Sequence, residues 1–98
     1  MVVTYKNRNL EKICTDISKA IREYGFDMAK KIHQRIKEIS IAPNVEMMIQ
    51  FHIGRCHRLE ADRDGQYAVD LVHPFRLIFT VTDNQIQIAK IVEIVDYH

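Results

Sequence analysis

The sequence predicts an α+β fold: an N-terminal helical hairpin packed on a four-stranded antiparallel sheet. Three observations carry that reading. Apolar residues recur at three- and four-residue steps through the first forty or so positions, and the period falls to two after Gly54. The few breakers, three Gly and two Pro, fall between the periodic runs rather than inside them. At 98 residues with 47% hydrophobic content, the chain closes one core and not two, so residues 1–98 are read as a single domain.

Leu10, Ile13, Cys14, Ile17, Ile21 and Tyr24 share one stripe of a helix spanning about residues 9–24, with Gly25 a natural stop. Asp27 then caps a second helix whose buried stripe is Ala29, Ile32, Ile36 and Ile39. Lys30, Lys31, Arg35 and Lys37 lie elsewhere around this helix and are expected in solvent. The short break between the helices favours an antiparallel pair. Pro43 and Asn44 end the second helix before a short apolar piece, residues 47–51.

Asp64 and Gly65 form a hairpin turn between a strand near residues 55–60 and another near 66–72. His73 and Pro74 make the next break. Phe75, Leu77, Phe79 and Val81 then face one way and Arg76 and Ile78 the other, because strand side chains alternate. Asp83 and Asn84 turn into a last strand running to Val95.

Composition excludes several classes. No stretch of eighteen apolar residues and no charged-then-apolar leader is present, which predicts a cytoplasmic protein with no membrane span. Cys14 and Cys56 lie far apart without metal-type spacing and read as free thiols of a reducing compartment. Net charge is +1, unevenly spread: nine Lys or Arg against six acids through residue 50, then five against seven. That balance alone is a weak signal for nucleic acid, whose tight binding needs clustered cations.

Arg76 is the cation to follow. It sits in an otherwise apolar strand on the face opposite Phe75, Leu77 and Phe79, and a strand-fixed guanidinium suits a phosphate because its planar donors engage two oxygens at once. A cross-strand pair with Asp70 is the structural alternative. His57, between Arg55 and Arg58, is a candidate proton acceptor in its neutral form. His52, Cys56 and His57 make a poor zinc set because adjacent strand residues point to opposite faces. His33 and His73 read as surface and turn residues, and Glu60, Asp62, Arg63 and Asp64 as a solvated hairpin end. There is no Gly-rich phosphate loop, no GxSxG elbow and no HExxH helix, so no cofactor is implied. What remains is Arg76, His57 and the last three residues, Asp96, Tyr97 and His98: an acid, a phenol and an imidazole directly after a packed strand. These can make a metal-free ribonuclease set.

The stretch GRCHRLEADRDGQYAVDLVHPFRLIF, residues 54–79, and the ending VEIVDYH, residues 92–98, resemble HigB-type killer proteins of the RelE/ParE toxin superfamily. The layout of helices then strands agrees over nearly the whole chain. The resemblance implies a RelE-like fold and a toxin of a type II toxin-antitoxin pair that enters the ribosomal A site and cuts the mRNA being translated. It carries over, residue for residue, as active-site positions His57, Arg76, Asp96, Tyr97 and His98. It also implies a HigA-type helix-turn-helix antitoxin as partner, with Lys30, Lys31, Arg35 and Lys37 as candidate contacts and a solvated helix face as the alternative. Metal-free cleavage requires a base for the ribose 2′-hydroxyl, charge stabilisation on the phosphorane and a proton for the 5′-oxygen. His57 and His98 would divide the base and acid roles, with Arg76 on the phosphate, Tyr97 against a nucleotide and Asp96 orienting an imidazole or the base at the A site. One departure matters: where such toxins commonly read LKGDR, this chain has Leu59, Glu60, Ala61, Asp62 and Arg63, placing an acid where a Lys is usual. Two other classes remain open: a ParE-like toxin that binds gyrase without nuclease chemistry, whose branch lacks the terminal DYH, and an inactive co-regulator that only binds its antitoxin.

Overall fold

The computed structural model describes residues 1–97; His98 lies outside the described residues. In chain order the elements are β1 (Val2–Tyr5), α1 (Arg8–Thr15), α2 (Ile17–Tyr24), α3 (Phe26–Ile41), α4 (Val45–Gln50), β2 (His57–Arg58), β3 (Gln66–Asp70), β4 (Phe75–Asn84) and β5 (Ile86–Asp96). Single turns of 3-10 helix at Ile53–Arg55 and Ala61–Arg63 flank β2.

The helical half departs from expectation at one residue. The continuous helix over 9–24 is two helices, because Asp16 leaves helical geometry at φ −113°, ψ 105°. Its carboxylate accepts hydrogen bonds from the Ser18 and Lys19 amides, ending α1 and starting α2 at once. A short acidic side chain offers the backbone this alternative to the helical ladder. The break turns α2 about its axis, so Ile17 and Ile21, expected in the buried stripe, lie on the surface, while Ala20 is fully buried. It also frees the Ile13 carbonyl, to which His33 Nε2 donates at 3.2 Å, so His33 ties α3 to α1 instead of facing solvent. Gly25 alone links α2 to α3 at φ +86° and occupies the N-cap, leaving Asp27 in the first helical turn rather than capping it. An acid there still complements the helix dipole.

Among the described residues the sheet has five strands in the order β1-β5-β4-β3-β2, not four. β1 lies parallel to β5 at one edge, with Val3 opposite Ala89 and Tyr5 opposite Ile91, and the other pairs are antiparallel. Four residues are too few to display a strand period, which is why β1 was not legible. β2 is likewise shorter than expected, at two residues.

Val69, Leu77, Phe79, Ala89 and Ile91 of the sheet close the core against Leu10, Ile13, Met28, Ile32, Ile39 and Met48 of the helices. The alternation expected in β4 holds: Phe75, Leu77, Phe79 and Val81 face the helices. A register shift between Ile78 and Phe79 leaves Val92 as an extra residue in β5. This bulge lets Ile91 and Ile94 both face the helices although their spacing is odd, and sends Glu93 and Val95 to the opposite, open face with Ile78 and Arg76. Cys14 and Cys56 are both buried free thiols, and burial pushes each up to about 12.

Candidate active site

Strand register places the functional side chains. His57 pairs with Ala68, Ala68 with Ile78, and Ile78 with Glu93, while Asp70 pairs with Arg76 and Arg76 with Val95. These residues therefore share the open face. Ala68 and Ile78 are fully buried yet lie outside the helix-facing core, so they form the apolar floor on which the polar groups stand.

Arg76 occupies the centre of this face. Its Nε lies 3.5 Å from Asp70 Oδ1, and its guanidinium carbon sits 4.8 Å from the centroid of the Tyr97 ring. The Asp70 pair considered from the sequence therefore forms. It engages only Nε, and the planar group stacked on an aromatic keeps its terminal nitrogens as donors for a phosphate. Arg55 is recruited by the other oxygen of the same carboxylate, Nε to Asp70 Oδ2 at 2.7 Å. Arg55 and Arg76 together form the wall between two adjoining concavities, one of about 230 Å³ bordered by Asp70, His73 and Tyr97, the other of about 370 Å³ bordered by His52 and His57.

His57 is half-buried, and its Nδ1 lies 2.9 Å from the Arg55 carbonyl. A carbonyl only accepts, so Nδ1 carries hydrogen, and in the neutral ring Nε2 keeps its lone pair. Cys56, one residue earlier, is buried and packs in the core cluster while also lining the concavity that His52 and His57 border. His57 and Arg76 lie two strands and two residues apart in register, which sets their Cα atoms about 12 Å from each other, room for a phosphodiester between the two side chains.

At the chain end the placements diverge. The Tyr97 amide donates to the Pro74 carbonyl at 3.1 Å, which holds the ring beside Arg76. Asp96 pairs with Phe75, so register puts its exposed side chain on the face opposite Arg76. His98, the remaining position taken from the sequence, lies outside the described residues.

Two residues were misplaced by sequence reasoning. Arg63, assigned to a solvated hairpin end, reaches over the open face to Glu93 at 2.8 Å and Gln66 at 3.0 Å. The hydrogen bond to Glu93 pushes its pKa up from an already high value. Glu93 was not singled out because only the β5 bulge sends it to this face. Arg35, assigned to solvent, is largely buried against Glu38 and the Asp70 carbonyl. Opposite charge at i, i+3 on one helix, Arg35 with Glu38, is a sign that could have flagged the first; Arg63 and Glu93, thirty residues apart, leave none.

No protein-family model and no curated protein matches the sequence. Solved structures do match. A YoeB/ParE toxin from Agrobacterium tumefaciens superposes with a TM-score of 0.68 over 100% of both chains at 13% identity, a likeness of fold. The YoeB dimer from Staphylococcus aureus gives 0.64 at 26% identity, covering 100% of this chain and 97% of its own. The YoeB-YefM complex from the same organism gives 0.65 with the same identity and coverage. Five strands, four helices and full-length superposition make YoeB/ParE-type toxins of the RelE/ParE superfamily the structural relatives of this chain.

Proposed function

We propose that this protein is the toxin of a type II toxin-antitoxin pair and a metal-free endoribonuclease that cuts mRNA on the ribosome. The observation that carries the reading is the grouping of His57, Arg76 and Tyr97 on one open sheet face, with a guanidinium stacked on the phenol ring and an imidazole whose Nε2 is available. His57 Nε2 accepts the proton of the ribose 2′-hydroxyl, and the 2′-oxygen then attacks the adjacent phosphorus. Arg76 stabilises the charge that builds on the phosphorane oxygens. The bond to the 5′-oxygen breaks as His98 delivers a proton to it, leaving a 2′,3′-cyclic phosphate and a 5′-hydroxyl. Tyr97 holds a nucleotide beside Arg76, since RNA is read through unstacked bases on aromatic rings. Asp96 is assigned the orientation of an imidazole on the sequence resemblance alone.

The partner in this reading is an antitoxin. The sequence resemblance favours a HigA-type helix-turn-helix protein, whereas the Staphylococcus aureus relatives pair with YefM. Co-purification from cells expressing each antitoxin separately distinguishes the two.

The function is tested by cleavage of a programmed mRNA on ribosomes by the purified chain, beside a His98-deleted form and beside the same mRNA without ribosomes. Cutting that needs both the ribosome and His98 supports the proposal. A second reading, left open by the sequence, is a gyrase-binding toxin without nuclease chemistry. It predicts toxicity that survives replacement of Tyr97 and His98, and no cutting in any lane.

A further inference from the structure

Arg35 projects from α3 beneath the two main-chain segments that carry the site. Its side chain is 13% exposed, its Nε donates to the Asp70 carbonyl at 2.7 Å, and its Nη1 pairs with Glu38 at 2.8 Å. Over it runs the turn preceding β2, where His52, Gly54 and Arg55 have φ of 55°, 58° and 53°. At Gly54 the backbone approaches so closely that a Cβ would stand 2.9 Å from Arg35 Nε. Glycine is needed there both for the left-handed backbone and for the approach. The same guanidinium thus touches the residue before Arg55 and the main chain of Asp70, whose carboxylate grips Arg55 at 2.7 Å and Arg76 at 3.5 Å.

We propose that Arg35 is a positioning residue of the site: held between Gly54 and the Asp70 carbonyl, it fixes the Asp70 carboxylate and through it the placement of Arg55 and Arg76 against the RNA phosphate. The proposal rests on the ribonuclease reading for its catalytic consequence, and on geometry alone for its structural one. Asp70, the last residue of β3, is paired with Arg76, and the Leu71 amide donates to the Phe75 carbonyl at 3.0 Å before the chain turns, so Arg35 adds a side-chain restraint where the strand ends. A planar fork that donates to a carbonyl with one nitrogen and to a carboxylate with another restrains it there, and an ammonium group does not reproduce that geometry. Small displacements of a phosphate-binding guanidinium are costly, because catalysis depends on placement.

The test compares Arg35→Gln, Arg35→Lys and Gly54→Ala with the native full-length chain. In cleavage on programmed ribosomes, Arg35→Gln is expected to lower kcat by about tenfold or more with KM changed by less than about threefold, and Arg35→Lys to recover part of the loss. In a background carrying both Arg55→Ala and Arg76→Ala the further effect of Arg35→Gln falls below about twofold, because the residue acts through those two arginines. Without any substrate, the 15N signals of the Arg55 and Arg76 Nε–H groups are expected to be protected from exchange in the native protein. They should lose that protection in Arg35→Gln and Gly54→Ala, with a folded backbone amide spectrum. Unchanged protection, or additive losses when Arg35→Gln is added to the two arginine replacements, overturns the proposal. If the native chain cuts nothing, the nuclease reading fails, and the Nε–H measurement still decides the positioning role. If Arg35→Gln does not fold, Arg35→Lys and Gly54→Ala decide it by the same signals.

Discussion

The Nδ1 bond from His57 to the Arg55 carbonyl leaves Nε2 as the nitrogen that, in the proposed reaction, takes the proton of the ribose hydroxyl. Replacing His57 by Ala is expected to lower kcat on programmed ribosomes by about 10²–10⁴, the usual worth of a positioned general base. A loss below tenfold would move the base to His98. Glu60 offers an opposite test, because it is an exposed acid where toxins of the resembled type carry Lys. Glu60→Lys adds two charge units on the hairpin beside β2, and is expected to raise cleavage at sub-saturating ribosome concentrations and to steepen its fall with salt. An unchanged rate would remove Glu60 from RNA binding. The acids Asp70 and Glu93 offset two of the three charges of Arg55, Arg76 and Arg63, so the face carries less positive charge than its arginines suggest.

Asp16 and the β5 bulge set what each side of the molecule presents. The Asp16 carboxylate holds two α2 amides, and Asp16→Ala is expected to cost about 1 kcal/mol, the typical worth of an N-cap. For a domain of this size that corresponds to a melting temperature lower by roughly 4–8 °C, read by calorimetry. No change would mean that helix packing, not the cap, holds the break. The bulge at Val92 has the corresponding role in the sheet: a regular β5 would turn either Ile91 or Ile94 out of the core, and would carry Glu93 away from Arg63. One extra residue thus keeps the core apolar and the open face polar.

Across the whole molecule, burial sets the response to alkali. Desolvation pushes Cys14 and Cys56 from 9.0 up to about 12, and burial likewise raises Tyr5 from 10.0 to about 12. Each group holds its proton more tightly folded than unfolded, so the stability it contributes is complete below the unfolded value and is lost as pH rises through the folded one. Urea midpoints are therefore expected to stay level from pH 7 to about 8.5 and to fall steadily above pH 9. A midpoint constant to pH 11 would contradict this. Over the same neutral range both thiols should resist alkylation until the chain unfolds, since thiolate is the reactive form.

The sequence by itself determined the α+β class, the succession of helices and then strands after β1, and the orientation of β4, because periodicity and breakers are local properties of the chain. It also determined the pairing of an apolar inner face with an outward Arg76, and that outward placement with Asp70 as cross-strand partner is what the structure shows. Only tertiary structure decided the rest. Four residues at the N-terminus become a strand because β5 offers them an edge, and Asp16 breaks a helical stripe that a periodic pattern reads as continuous. Arg35 and Arg63 leave the solvent because their partners, Asp70 with Gly54 and Glu93, lie roughly twenty to thirty-five residues away in sequence. Distant groups brought within hydrogen-bond reach leave no local pattern, so a charged residue reads as solvated until the fold supplies its partner.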